Sequence, residues 1–217
     1  MSGIAIFDLD RTLTKRGCFT PFIFYVARRC PRRFLPFHRI LLAAGCNVFG
    51  FYRIDEIKLL MWREVVGGLP REEAETLGNT FAKIWIQNEL RRQTKKNIKK
   101  HQEAGDRLIL ATAAMDIIAD PIGRALGFDD IISTRTDWTE EGHISGSFDG
   151  RNCYGEEKLR RLKLTLGDLA PSKTFAYSDH ITDLPILLWA ENGIAVNPHR
   201  PLRDAAGRHG LRIEDWD

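Results

Sequence analysis

Ile4-Ala5-Ile6-Phe7-Asp8-Leu9-Asp10-Arg11-Thr12 runs four apolar residues into two carboxylates spaced i and i+2, and a hydroxyl follows two positions later. A short continuous apolar run is the pattern of a strand covered on both faces, as in a parallel sheet. In open α/β sheets ligands bind beyond the carboxyl ends of the strands, which places Asp8 and Asp10 at a crevice. Two carboxylates this close do not both stay ionised away from water without a cation or a shared proton. A divalent metal is the simplest answer. Taken alone, the Asp-x-Asp pair reads equally well as a solvated strand end or a helix cap.

Three later stretches bear on the choice. Arg107-Leu108-Ile109-Leu110-Ala111-Thr112 reads as a second core strand meeting a helix at Thr112-Ala113-Ala114. A hydroxyl and small residues there let backbone N–H groups approach a phosphate, although a Thr N-cap uses the same geometry. Asn152-Cys153-Tyr154-Gly155-Glu156-Glu157-Lys158 opens a further helix. The helix dipole disfavours a lysine at that end, so Lys158 needs an anionic partner or solvent. Thr174-Phe175-Ala176-Tyr177-Ser178-Asp179-His180-Ile181-Thr182-Asp183 is again an apolar strand ending in two carboxylates, now spaced i and i+4, and Leu184, Leu187 and Leu188 continue it as a helix.

The rest of the core alternates in the same way. A helix is predicted over residues 115–126 with Gly127 as its stop, then a strand over 130–138, a hairpin-like excursion with Gly142, Gly146 and Gly150, a last strand over 193–198 and a helix to about residue 210. Residues 14–90 break the alternation. No acidic residue lies between Arg11 and Ile54, and helices are expected over 19–27, 34–51, 54–66 and after Pro70, where Glu72, Glu73 and Glu75 suit a first turn. Arg91, Arg92, Lys95, Lys96, Lys99 and Lys100 read as the solvated face of a basic helix over 91–103.

The 217 residues suffice for one substantial domain, or a core with a smaller insertion. With 43% hydrophobic and 28% charged residues the chain is an ordinary globular protein, and its net charge of +3 does not point to nucleic acid. Cys18, Cys30, Cys46 and Cys153 have neither zinc nor redox-pair spacing, and with no signal peptide evident the expected compartment is the cytoplasm. The longest apolar stretch, residues 40–52, is too short for a membrane span of roughly 20 residues.

Asp8-Leu9-Asp10-Arg11-Thr12 has the pattern Asp-x-Asp-x-Thr and resembles the first motif of the haloacid dehalogenase superfamily. Thr112 occupies the position of the second motif and Lys158 that of the third, where Gly155-Glu156-Glu157-Lys158 resembles the phosphoserine-phosphatase-like branch, subfamily IB. Asp179 and Asp183 match the fourth, usually Gly-Asp-x-x-x-Asp, with Ser178 in place of the glycine. The resemblance implies an α/β fold: a Rossmann-like three-layer core with a mostly parallel sheet over residues 1–14 and 90–217, and an inserted all-helical type 1 cap over 15–89. It further implies an Mg²⁺-dependent phosphatase that hydrolyses a small-molecule phosphate monoester through an aspartyl-phosphate. Asp8 would be the nucleophile and Asp10 the acid and base. Asp8, the backbone carbonyl of Asp10 and Asp179 would hold the metal, Asp183 would orient its water or Lys158, and Thr112, Ala113 and Lys158 would bind phosphate.

Phosphoserine phosphatases of that branch carry a Glu just after the first motif, whereas Thr14-Lys15-Arg16-Gly17-Cys18-Phe19 has no acid. That disfavours phosphoserine and suits a substrate with further negative charge or an apolar body. Arg16, Phe19 and Asn152 are the candidates for contact with it. A phosphotransferase, a phosphatidylglycerophosphate-type lipid phosphatase resting on a membrane surface, and a phosphoserine phosphatase are the alternative readings. The aromatics Phe19, Phe22, Phe24, Tyr25, Phe34 and Phe37 read better as core of the inserted helices than as a membrane face. A noncatalytic phosphate-binding module and a metal-free dehalogenase fit the residue set less well.

Overall fold

The computed structural model describes residues 3–34, 54–168 and 173–217. The helix expected over 34–51 falls outside them but for its first residue, as do the apolar stretch 40–52, Phe37 and Cys46. Strand β1 (Ile4–Phe7) is buried along its whole length, as its unbroken apolar run requires. It lies at the centre of a seven-stranded sheet ordered β4-β3-β2-β1-β5-β6-β7, with β2 Arg107–Met115, β3 Asp130–Trp138, β4 Ile144–Asp149, β5 Thr174–Ser178, β6 Asn192–Val196 and β7 Arg212–Glu214. Every pairing is parallel except β3 with β4, which are antiparallel. The fold is thus α/β with a mostly parallel sheet.

Alternate residues of β1 feed two cores. Ala5 and Phe7 join Leu108, Leu110 and Tyr177 on one face, and Ile4 and Ile6 join Ile109, Ala111 and Ala176 on the other. Between β1 and β2 the described chain is helical. Helix α1 (Phe19–Arg29) buries Phe22, Ile23, Val26 and Ala27, leaves Phe24 exposed and half-buries Tyr25. Helix α2 (Ile54–Met61) runs on without a break into a wider helical turn over Trp62–Val66, so the helical stretch expected over 54–66 is present with its last turn widened. Helix α3 (Arg71–Glu89) buries Ala74, Leu77, Gly78, Phe81, Ala82 and Trp85, an i, i+3, i+4 stripe. Stacked and edge-on contacts of Phe22 with Trp62 and Phe81, and of Phe81 with Trp85, fill this block, so the buried aromatics form its core.

Helix α4 (Thr94–Glu103) starts later than the basic run that announces it. Arg91 stands outside it and is buried, because its guanidinium is spent on the carbonyl of Arg11 and on Asp217 and not on water. Helix α5 (Asp116–Leu126) ends at Gly127, whose φ of 78° is the left-handed stop that glycine permits. After α6 (Glu156–Leu166), α7 (Leu184–Trp189) and α8 (Arg200–His209), β7 adds an edge strand not expected from sequence, and Trp216 is buried against Phe7 and Tyr177. Among the described residues no helix is long and apolar enough to cross a membrane.

Candidate active site

Asp8 leaves β1 with its N–H donating to Tyr177 O at 2.9 Å, so the ladder with β5 continues one residue past the strand and holds the carboxylate at the sheet's carboxyl edge. Leu9–Leu13 then fold into a tight turn in which Asp10 is extended (φ −72°, ψ 122°) and Arg11 is left-handed (φ 63°, ψ −5°). A residue with a Cβ is held there at a cost of about 1–2 kcal/mol. The reversal turns Asp10 toward α1, where its Oδ1 accepts from Cys18 N–H at 2.8 Å.

The same turn brings Thr12 back over the strand end. Its hydroxyl donates to Asp8 Oδ2 at 3.0 Å, lies 3.3 Å from Asp179 Oδ1 and accepts from Asp179 N–H at 3.0 Å. One hydroxyl therefore spans the gap between two carboxylates 171 residues apart in numbering order from Asp8 to Asp179. Lys158, in the first turn of α6, has its ammonium 2.9 Å from Asp8 Oδ1 and 2.7 Å from Asp183 Oδ2. Asp183 Oδ2 also accepts from Ser178 Oγ at 2.7 Å, so the serine standing where the motif usually has glycine adds a donor to the site. Asp183 Oδ1 is buried and has no hydrogen-bond partner among the described residues.

Burial raises the Asp8 pKa above the carboxylate range. Lys158 opposes that rise, and Asp183 and Asp179 add to it. Asp179 is raised by burial despite its bond to Thr12, and Asp10 by burial despite Cys18. Burial disfavours the Lys158 ammonium, but Asp183 and Asp8 outweigh it and the group stays charged. One buried ammonium thus serves two carboxylates while a third adjoins them.

That excess of negative charge, and the unpartnered Asp183 oxygen, fit a hard divalent cation with oxygen ligands. Among the described residues no three His, Cys, Asp or Glu side chains converge as a metal cluster, and the Asp10 carboxylate faces Cys18. The resemblance implies the backbone carbonyl of Asp10, beside the carboxylates of Asp8 and Asp179, as the ligand atoms.

Thr112 is placed differently from the sequence expectation. Strand β2 runs on through an irregular stretch to Met115, so Thr112 lies inside the strand and not at a helix start. Helix α5 begins four residues later, with Asp116 Oδ1 accepting from Ile117 N–H. Thr112 Oγ1 accepts from Ala114 N–H at 3.1 Å, which leaves its own hydrogen for a ligand oxygen.

Above these groups is a cavity of about 520 Å³, a volume that suits a small ligand. Asp8, Asp10, Thr112, Ala113, Lys158, Asp179 and Asp183 line its floor, and Phe19, Ile57, Lys58 and Met61 of α1 and α2 line the facing wall. Of the three substrate-contact candidates only Phe19 lines it. Arg16 is turned to Glu89 at 2.6 Å and stacks over Trp85, because that carboxylate offers a two-pronged acceptor outside the cavity. Asn152 accepts from Thr134 Oγ1 at 2.8 Å and so serves the loop before α6.

The sequence pattern marks Thr12 but gives it no role, and Lys58 and His180 were missed. Lys58 donates to Ala113 O at 3.1 Å and lies 5.0 Å over the Phe19 ring; its signal was an ammonium set between Ile57 and Leu60 in an apolar stripe. His180 lines the cavity with its ring stacked on His199 at 4.3 Å, and His199 Nδ1 lies 2.8 Å from Asp179 O. Burial, then His199, lowers the His180 pKa.

Residues 5–188 match the haloacid dehalogenase-like hydrolases. The chain belongs to that family. Among curated relatives it is 30% identical to protein CicA of Caulobacter vibrioides over 87% of this chain and 83% of that one. It is 24% identical to a histidinol-phosphatase of Neisseria meningitidis serogroup C over 98% of each chain. Its fold superimposes on a protein of unknown function from Bordetella pertussis Tohama I with a TM-score of 0.87, at 24% identity and over the whole of both chains. A substrate-bound phosphoserine phosphatase superimposes with a TM-score of 0.64, at 18% identity over 100% of this chain and 95% of that one. Both likenesses speak for the fold.

Proposed function

We propose that this hydrolase is a divalent-cation-dependent phosphatase that cleaves small phosphomonoesters through an aspartyl-phosphate on Asp8. The observation that carries the reading is the buried Lys158 ammonium between Asp8 and Asp183, at the floor of a cavity of substrate size. In phosphoryl transfer the protein supplies position and charge more than covalent chemistry, and these groups supply both.

Asp8 attacks phosphorus and the P–O bond to the leaving alcohol breaks. Asp10, steadied through Oδ1 by Cys18, gives its proton to that alcohol oxygen; it then takes a proton from the water that releases phosphate and restores the Asp8 carboxylate. Thr112 and Lys158 donate to the phosphoryl oxygens, and Asp183 with Ser178 keeps the ammonium aimed at Asp8. A Mg²⁺ ion held by Asp8, the Asp10 carbonyl and Asp179 would supply further positive charge against those oxygens. Residues 15–89 act as a cap on a core of 1–14 and 90–217, since α1 and α2 furnish the wall that excludes water. The histidinol-phosphatase and phosphoserine phosphatase among its likenesses support a small-molecule ester. The wall with Lys58 and no carboxylate among its described lining suits a neutral or anionic leaving group better than an ammonium.

Release of inorganic phosphate from an aryl phosphate and from a panel of sugar, nucleotide, amino-acid and lipid phosphates, with Mg²⁺ and with EDTA, tests the proposal. Hydrolysis that stops with EDTA and returns with Mg²⁺ is expected. No release from any ester in the presence of Mg²⁺ overturns it.

A further inference from the structure

We infer that Arg91 is a positioning residue: by chelating the carbonyl oxygen of Arg11 it sets the turn that presents Asp10 and Thr12, and Asp217 holds its guanidinium in place. The kinetic part of this inference rests on the phosphatase reading; the conformational part does not.

Arg91 lies between α3 and α4, where the chain returns from the inserted helices to the sheet. Its Nε and Nη2 both donate to Arg11 O, at 3.0 and 2.8 Å, and Nη1 pairs with Asp217 Oδ2. The side chain is only 8% exposed. A buried guanidinium persists where its planar fork is satisfied, and here one carbonyl and one carboxylate satisfy it. A lysine presents a single point of charge and cannot close two bonds on one oxygen.

The residue so held is the one in the turn whose backbone is least able to hold itself. Arg11 is left-handed without being glycine, a conformation that endures only when its surroundings over-determine it. Pinning Arg11 at its carbonyl fixes the two peptide planes beside it. One carries the Asp10 carbonyl, and the other carries the N–H of Thr12, whose hydroxyl joins Asp8 to Asp179. The neighbouring backbone is clamped from the same side: Arg91 N–H and Thr94 Oγ1 both donate to Leu13 O, at 3.0 and 2.7 Å, Thr14 bridges Leu90, and Lys15 N–H donates to Glu89 O. The two crossings between sheet and inserted helices are therefore laced together, and the Arg91 fork is the part of the lacing that reaches the Asp-x-Asp turn.

Crystal structures of the wild type, Arg91→Gln and Asp217→Asn, with steady-state hydrolysis of an aryl phosphate in Mg²⁺, form the test. In Arg91→Gln, Arg11 is expected to leave the left-handed region and Asp10 to lose its bond to Cys18 N–H. Its kcat is expected to fall about 100-fold, the scale of a 1 Å misplacement, with KM changed less than about threefold. Added guanidinium ion is expected to restore about tenfold of the loss in Arg91→Ala, a rescue that general destabilisation does not give. Asp217→Asn, whose side chain is half-exposed, is expected to lose activity severalfold and covers the case in which Arg91→Gln fails to fold. A turn and kcat unchanged in Arg91→Gln, or in Asp217→Asn where only that variant folds, overturn the inference. A turn that moves in an enzyme whose wild type hydrolyses no phosphomonoester keeps the inference and removes the phosphatase reading.

Discussion

Lys158 Nζ lies 2.9 Å from Asp8 Oδ1, across 150 residues of sequence, and the same ammonium is 2.7 Å from Asp183 Oδ2. Replacing it by methionine keeps the side chain's length and leaves two buried carboxylates without their cation. Lys158→Met is expected to lower kcat by about 100-fold or more and to cost about 3–5 kcal/mol of stability, as breaking a buried pair from one side does. Urea unfolding in EDTA and aryl phosphate hydrolysis in Mg²⁺ measure the two effects. A midpoint equal to that of the wild type would mean that the pair is not formed.

Asp8→Asn keeps the side chain's shape and removes the nucleophile. No acid-stable, hydroxylamine-labile phosphoryl group is expected on the variant after quenching with substrate, and turnover is expected to vanish. Asp10→Asn is expected to retain a slowly formed intermediate, because that residue moves protons and does not attack. Retained turnover in Asp8→Asn with metal present would remove Asp8 from the reaction.

Thr12→Val is nearly isosteric and deletes the hydroxyl that lies between Asp8 and Asp179. Groups that orient metal ligands are typically worth about 10–100-fold in metal affinity. The Mg²⁺ concentration for half-maximal activity is expected to rise by about that factor while kcat at saturating Mg²⁺ falls less. An unchanged Mg²⁺ requirement would leave the threonine a role in packing alone.

The sheet and the floor of the site were legible because each depends on local signals: apolar runs, and charged residues where those runs stop. Phe7 and Tyr177 stand in register, so once β1 and β5 are paired Asp8 emerges level with Ser178 and Asp179 follows one residue on, at the same edge of the sheet. What was not legible depends on long-range partners. Nothing in the composition of the run from Arg91 to Lys100 separates Arg91 from its solvated neighbours; only the arrival of Arg11 O and Asp217 makes it a buried group. Thr112 was set at a helix start because small residues follow it, whereas pairing with β3 carries the strand on to Met115. Arg16 reads from sequence as a candidate for substrate contact, and a carboxylate 73 residues away takes it elsewhere.

Gly78 of α3 packs on α5 so closely that an added Cβ would stand 2.2 Å from Ile117 O. That carbonyl is the one left without its helical donor by Pro121, four residues on, which has no N–H. Gly78→Ala gains helix propensity but must push the two helices apart. A net loss of about 1–3 kcal/mol is expected, the usual scale of overpacking. A thermal midpoint at or above that of the wild type would show that the contact relaxes without cost.

Glu157 precedes Lys158 in α6 and accepts from Arg160 Nε and Nη2 and from Arg161 Nε at 2.7–2.8 Å. Those bonds, first from Arg160 and then from Arg161, hold its pKa down to about 2 from 4.5. A depressed folded-state pKa means that the unfolded chain binds the proton first as pH falls, so the stabilisation is complete above the unfolded value and drains away down to the folded one. Arg160 is 59% exposed although the Glu157 side chain is only 10% exposed, and screening at that exposed partner limits the contribution to roughly 1 kcal/mol or less. The stability difference between wild type and Glu157→Gln is therefore expected to be constant from pH 7 to about 4.5, to shrink between about 4.5 and 2, and to lose its pH-dependent part below that. Urea unfolding of both proteins across that range measures it. A difference that holds steady down to pH 2 would mean that the arginines do not discriminate between the ionised and the neutral acid.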